Sequence, residues 1–371
     1  MSSTLPAEMG MSYFKVGCNF DLRLIDGMVE LNTISSNSKV KEFYGSDRRH
    51  ASLAARPAFR LPDVEERYIE NYVKRCNAAG IEFNYTLNSM YPGSKRTITS
   101  NKREIIDFVQ FLDGIGVKTV TVTNPILAGL VREASETIGL EVSTIAHIDA
   151  VTQIKAWKHR FGITAVCSNL LKNRSIRFLK SASSYCNESG IVLNLMVNEF
   201  CAIGGNEGAK TYTTHCIYRD SCYLCHSENE SIEDDQLLDR YPMGYCIPSR
   251  NDKSSWLKAL FIRPEDIRLY HGLGINHFKV TGRTGTTQYI LGTTEAYVRR
   301  SWDGNLLALW KPLETILSGE SELEFSHCHE IDNKKLEGFL SYWFDNQLHE
   351  CANEVCGETC DYCNAFCKQA L

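Results

Sequence analysis

The chain runs to 371 residues, 43% of them hydrophobic and 23% charged, longer than a small domain yet within reach of one α/β barrel of about 250 residues carrying insertions. Its 40 basic and 45 acidic residues leave a net charge of −5, so nucleic acid is not indicated as a partner by overall charge. No apolar run of the roughly 18 residues that a bilayer span needs occurs, and the opening MSSTLPAEMGMS lacks the charged-then-apolar layout of an export signal; a soluble, cytoplasmic protein with no membrane span is expected.

Short β-branched runs alternate with amphipathic segments over the first two hundred residues. Strands are predicted at Tyr13–Asn19, Val40–Tyr44, Ile81–Leu87, Val117–Thr123, Glu141–Ala146, Ile163–Ser168 and Ile191–Val197. Between them, Val64, Tyr68, Tyr72 and Val73 recur at helical spacing within Asp63–Ala79, and Lys102–Ile115, Ile126–Ile138 and Ser175–Ser189 read the same way. Gly80, Gly116, Gly139 and Gly190 stand where helix C-terminal caps are expected. The rhythm of helix, glycine and apolar strand, as in AAG-IEFNY and ESG-IVLNLMV, is that of consecutive βα units in a parallel sheet.

A last strand at His277–Val280 brings the number to eight. The expected fold is therefore α/β, a (β/α)8 TIM-barrel-like fold, with a doubly wound open sheet as the alternative. The barrel is expected over 12–310, with a cysteine-rich insertion at 197–250 forming the long loop between strands seven and eight. A helical, cysteine-rich appendage is expected over 311–371. In a barrel the ligand-binding groups stand where strands end, which selects Asn19, Asp21, Asn88, Tyr91, Asn124, His147, Ser168, Asn169, Asn198, Glu199, Lys279, Gly282 and Arg283. Asn and Ser at such places also cap the helices that follow. Among them His147, Lys279 and Arg283 are candidates to position an anion, Arg283 as a bidentate fork, or to form a buried ion pair at the barrel mouth. Asp21 and Glu199 are candidate proton carriers.

The long loop holds Cys201, Cys216, Cys222, Cys225 and Cys246 in about fifty residues, with His215 and His226 beside them. Soft thiolates gathered in this way suit either zinc or an iron–sulfur cluster, and the cytosol disfavours a disulfide framework. A long loop of this kind is usually functional. After it, Pro264–Tyr270 opens as a proline-started helix, and the glycines around Arg283 could bring backbone N–H groups to an anion. The basic stretch Lys172–Lys180 reads as a solvated helix face that could contact phosphate. In the tail Cys351, Cys356, Cys360, Cys363 and Cys367 recur near helical spacing. They form either a second metal site or a helix face packed on the barrel.

The stretches VNEFC, YCIPSR, LFIRPEDIRLYHGLGINHFKVTGRTGTTQYI and AYVRRSWDGNLLAL, with FKVGCNFD and GITAVCSNLLKNRSIRFLK, resemble the peptidase U-32, or collagenase-like peptidase, family over roughly 12–310. The tail lies outside the resemblance. The resemblance implies a barrel-like fold and, for many members, a 4Fe-4S cluster on four cysteines. By position Cys201, Cys216 and Cys246 match its ligands, with Cys225 or Cys222 as the fourth. CYLCH and the insert GGNEGAKTYTTH depart from the family's spacing, and Cys18 is a further candidate. Members of this family include oxygen-independent hydroxylases of ubiquinone precursors or of RNA bases.

Taken together, the expectation is an iron–sulfur enzyme of oxygen-independent hydroxylase or related redox type, acting on a small molecule or a modified polymer, with an electron donor or partner protein and a second cluster in the tail. No H-E-x-x-H pair or G-x-S-x-G elbow occurs in the sequence. The alternatives are a metal-dependent, zinc-type peptidase and a noncatalytic scaffold with a structural metal.

Overall fold

The computed structural model describes residues 10–56, 58, 61–199, 253–283, 285–310, 330–354 and 356–371. Its centre is a closed barrel of eight parallel strands in sequential order: β1 Ser12–Gly17, β2 Ser38–Gly45, β3 Glu82–Leu87, β4 Thr119–Val122, β5 Gly139–Val142, β6 Ala165–Cys167, β7 Val192–Met196 and β8 His277–Val280. Closure is made by β8 on β1, in register from Tyr13 opposite His277 to Val16 opposite Val280. Closing the sheet removes every exposed strand edge.

The helices are α1 Leu22–Leu31, α2 Glu66–Ala78, α3 Lys95–Ser100, α4 Lys102–Gly114, α5 Pro125–Ala134, α6 Val151–Phe161, α7 Ile176–Glu188, α8 Lys253–Leu257, α9 Ile267–His271, α10 Thr287–Arg299, α11 Ser341–Asp345 and α12 Tyr362–Ala370. The longer ones present an apolar stripe to the barrel wall: Ile69, Tyr72, Val73 and Cys76 are the buried face of α2. Ile105, Phe108, Val109 and Leu112 do the same for α4. Both patterns follow the 3.6-residue period.

Three of the four expected cap glycines hold positive φ: Gly80 at 71°, Gly116 at 92° and Gly190 at 63°. Gly139 does not cap a helix. It opens β5, and a Cβ there would meet the Lys118 carbonyl oxygen at 2.9 Å, so its role is close backbone approach. Strand five is correspondingly shorter than Glu141–Ala146. The Ser143 hydroxyl accepts from the Ile145 N–H and turns Thr144–Ala146 into a 3-10 helix, a local hydrogen bond that competes with the ladder. The described part of the tail shares the barrel's apolar core, since Ile331, Leu336, Phe339, Leu340 and Trp343 are buried in one cluster with Phe261, Tyr270 and Phe278.

Candidate active site at the barrel mouth

A layer of charge crosses the barrel interior where aliphatic side chains are the rule. Lys15 of β1 pairs with Glu42 of β2 at 2.8 Å and also with Glu141 of β5. Lys279 of β8 approaches the other oxygen of Glu141 at 3.3 Å. From β3, the Asn84 amide donates to Glu42 and Glu141, both at 2.9 Å, and its carbonyl accepts from Thr121 of β4 at 2.7 Å. Two ammoniums and two carboxylates balance, which is the condition for burying charge at tolerable cost.

The two acids are not equivalent. Burial pushes the Glu141 pKa up, but Lys15 and Lys279 outweigh it and hold it down at about 2. Burial, together with the neighbouring Glu141 charge, raises Glu42 above the usual carboxyl value, with Lys15 opposing. Glu141 is therefore the fixed anion, and Glu42 the carboxyl that more readily keeps a proton.

Toward the C-terminal ends of the strands the layer gives way to a cationic rim. Arg283, just past β8, donates through Nη1 to the Thr86 hydroxyl at 2.6 Å and to the Ser46 hydroxyl at 3.0 Å. Burial, and then the neighbouring Arg56 guanidinium, pull its pKa down to about 10. Among the described residues no carboxylate forms a salt bridge with either arginine. Gly17 permits this placement, because a Cβ on it would lie 2.8 Å from the Arg283 backbone nitrogen. Tyr44 of β2 is the hub: Lys279 stands 4.1 Å above its ring, its hydroxyl donates to the Val280 carbonyl at 3.1 Å, and Arg283 and Glu199 both act on it electrostatically.

Of the five residues singled out as candidates, Lys279 stands over the Tyr44 ring, and Arg283 and Glu199 act on Tyr44 electrostatically. Asp21 is engaged elsewhere. It caps α1 through the Arg23 N–H, binds the Arg23 side chain at 2.6 Å and accepts from Thr287 at 2.5 Å, and the Arg23 hydrogen bond lowers its pKa. His147 closes the 3-10 turn after β5 with φ at 53°, on the wall opposite β1. Cys18 is 1% exposed beside Gly45 in the core, and burial pushes its pKa up to about 12, so it is a packed thiol.

Cys201, Cys216, Cys222, Cys225 and Cys246 lie outside the described residues. The chain leaves for them from β7 and returns at α8. The departure is anchored by Asn198, whose amide donates to the Thr281 carbonyl at 3.1 Å and the Leu309 carbonyl at 2.9 Å. The tail cysteines are described, and none of the five is in a disulfide among the described residues; Cys351, Cys356, Cys360 and Cys363 line one pocket.

Lys15, Glu42, Asn84, Glu141, Tyr44, Ser46, Thr86 and Arg56 were not legible as site residues. A signal existed for three of them: in FKVG, KEFY and LEV a charge sits mid-strand between apolar neighbours, at a position that must face the barrel axis. Arg174, within the stretch read as solvated, is 3% exposed. Its guanidinium donates to the Leu257 and Ala259 carbonyls at 3.0 and 2.6 Å.

A family model described as peptidase family U32 matches residues 52–308. An uncharacterized protease of Methanocaldococcus jannaschii is 26% identical over 302 residues, covering 81% of this chain and 80% of its own. Among solved structures, the U32 peptidase Mk0906 aligns with a TM-score of 0.43 and 15% identity, covering 72% of this chain and 91% of its own. A muconate cycloisomerase from Azorhizobium caulinodans aligns with a TM-score of 0.38 and 9% identity over 74% of this chain and 55% of its own.

Proposed function

The chain belongs to peptidase family U32, and from that premise we propose that it is an iron–sulfur enzyme performing an oxygen-independent hydroxylation or related redox change on an anionic substrate held at the barrel mouth. The observation that carries the reading is the cationic rim: Arg283 and Arg56 stand without a carboxylate partner among the described residues, and Arg283 donates to the hydroxyls of Ser46 and Thr86. Guanidinium forks of this kind match carboxylate or phosphate. Cys201, Cys216, Cys222, Cys225 and Cys246 supply the thiolates that would hold a 4Fe-4S cluster, which when bound supplies single-electron chemistry.

This chain's own residues then divide the work. Arg283 and Arg56 bind and orient the anion. Tyr44, held by Lys279 and the Val280 carbonyl, forms the floor, and Glu199 and Glu42 are the groups that can hold a proton near it. Glu141 stays charged and fixes both lysines. A small metabolite or an exposed group on a modified polymer fits these contacts equally.

The family name and the relative's description as a protease favour a second reading, a metal-dependent peptidase. Anaerobic purification of the full chain separates the two. Broad visible absorption with iron and acid-labile sulfide is the expected result. A colourless zinc protein that cleaves denatured collagen and loses that activity to a chelator would sink the redox reading.

A further inference from the structure

The tail, which lies beyond the family match, closes on itself in a way that packing alone does not require. The 3-10 turn Cys351–Asn353 leads into a tight loop in which the Gly357 N–H donates to the Cys360 carbonyl at 2.9 Å. Cys356 and Cys360 face each other across it as a backbone bridge, and Gly357 takes a φ of 85° that permits the turn. Cys360 and Cys363 then straddle the start of α12. The result is a knuckle in which Cys351, Cys356, Cys360 and Cys363 line one pocket, partly open to solvent. Cys367, one helical turn beyond Cys363, is not among its lining residues. A helix face of packed cysteines would not draw thiols from the turn and the loop as well.

The surroundings are those of an anionic centre. Arg174, 3% exposed, and Lys258, 8% exposed, both line the pocket. Arg174 is held by carbonyls and aromatic faces, standing 4.4 Å from the Trp343 ring and 5.1 Å from that of Phe339, and its Nε has no hydrogen-bond partner. Neither cation pairs with a carboxylate among the described residues. Glu354 and the exposed Asp361 also line the pocket. Two cations on largely buried side chains beside four thiols suit a centre of negative charge. Sulfur also receives N–H support, since the Trp343 indole donates to Cys351 Sγ at 3.3 Å. His349, another lining residue, has a buried Nε2 without a partner.

We propose that Cys351, Cys356, Cys360 and Cys363 hold an iron–sulfur cluster of their own, separate from any centre on the 197–250 segment. A polynuclear cluster is chosen over a single ion because, among the described residues, no three His, Cys, Asp or Glu side chains converge closely enough for one ion. A cluster spreads its thiolates over several metal atoms. The site sits at the C-terminal rim of the barrel: Arg174 follows β6, Lys258 follows α8, and α8 and α12 are in contact.

The test is iron and acid-labile sulfide analysis, with electron paramagnetic resonance after reduction, on the full chain purified anaerobically. Three variants are compared with the parent: Cys201→Ser with Cys246→Ser, Cys360→Ser with Cys363→Ser, and Cys367→Ser. The first should keep about four iron atoms per chain and a reduced-cluster signal, the second should lose about four relative to the parent, and the third should lose none. Iron retained in full by the second, zinc in place of iron in the first, or loss of all iron from the first and second alike would each overturn the proposal. Should the second variant fail to fold, the iron count of the first decides alone. The proposal is independent of the hydroxylase reading, for a chain whose only iron is removed by the second variant refutes a central cluster and upholds the tail one.

Discussion

Glu141 is the residue on which the barrel's interior charge turns. It is fully buried between two lysines, and Glu141→Gln would leave those ammoniums with one carboxylate, at a cost of about 3–5 kcal/mol read from chemical denaturation. The pH dependence has a definite sign. A carboxyl whose pKa is depressed to about 2 contributes its full stability above the ordinary value of 4.5 and loses it as pH falls between them. Glu42, raised by burial, works the other way, its contribution fading as pH rises past 4.5. The melting temperature of the parent should therefore fall more steeply below pH 4.5 than that of Glu141→Gln, and the difference between the two curves isolates Glu141. Arg283 belongs to the rim instead. Arg283→Ala should weaken binding of an anionic substrate about 10- to 100-fold, the equivalent of losing a charged hydrogen bond worth ~1.5–3 kcal/mol, with the thermal melt little changed.

At the scale of elements, the loops after strands carry two kinds of polar residue that look alike in sequence. Asp21 and Glu199 both follow a strand, yet Asp21 is spent on the first turn of α1 and on Thr287 of α10, while Glu199 acts on Tyr44 through its charge. Asp21→Ala should accordingly lower stability by about 1 kcal/mol and leave turnover near that of the parent; a collapse of turnover with an unchanged melt would make it a participant. The helices and their glycine caps were readable because their signals are local: an apolar stripe and a residue free to take positive φ. The end of β5 was not, because one serine hydroxyl redirected the backbone there.

Over the whole molecule, the barrel and the described tail form one body through the aromatic cluster of Phe261, Phe339, Trp343 and Tyr362, with Tyr362 stacked on Tyr342 at 3.9 Å. Polar ties add to it, Ser175 to Glu350 at 2.5 Å and Lys180 to Gln347 at 2.6 Å. Trp343, 1% exposed, is the wedge. Trp343→Ala should cost about 3–5 kcal/mol and loosen the tail, which hydrogen exchange would report as faster exchange over 341–371 than over β1 to β8.

The eight-stranded parallel barrel followed from the sequence, because periodicity and glycine placement are properties of neighbouring residues. Which polar residues share a site was decided only in three dimensions. Lys15, Glu42, Asn84, Glu141 and Lys279 come from five strands, and Arg174 lines one pocket with Cys351 and Cys363 across about half the chain's length. Contacts of that kind are set by barrel closure and tail docking, and no local pattern encodes them.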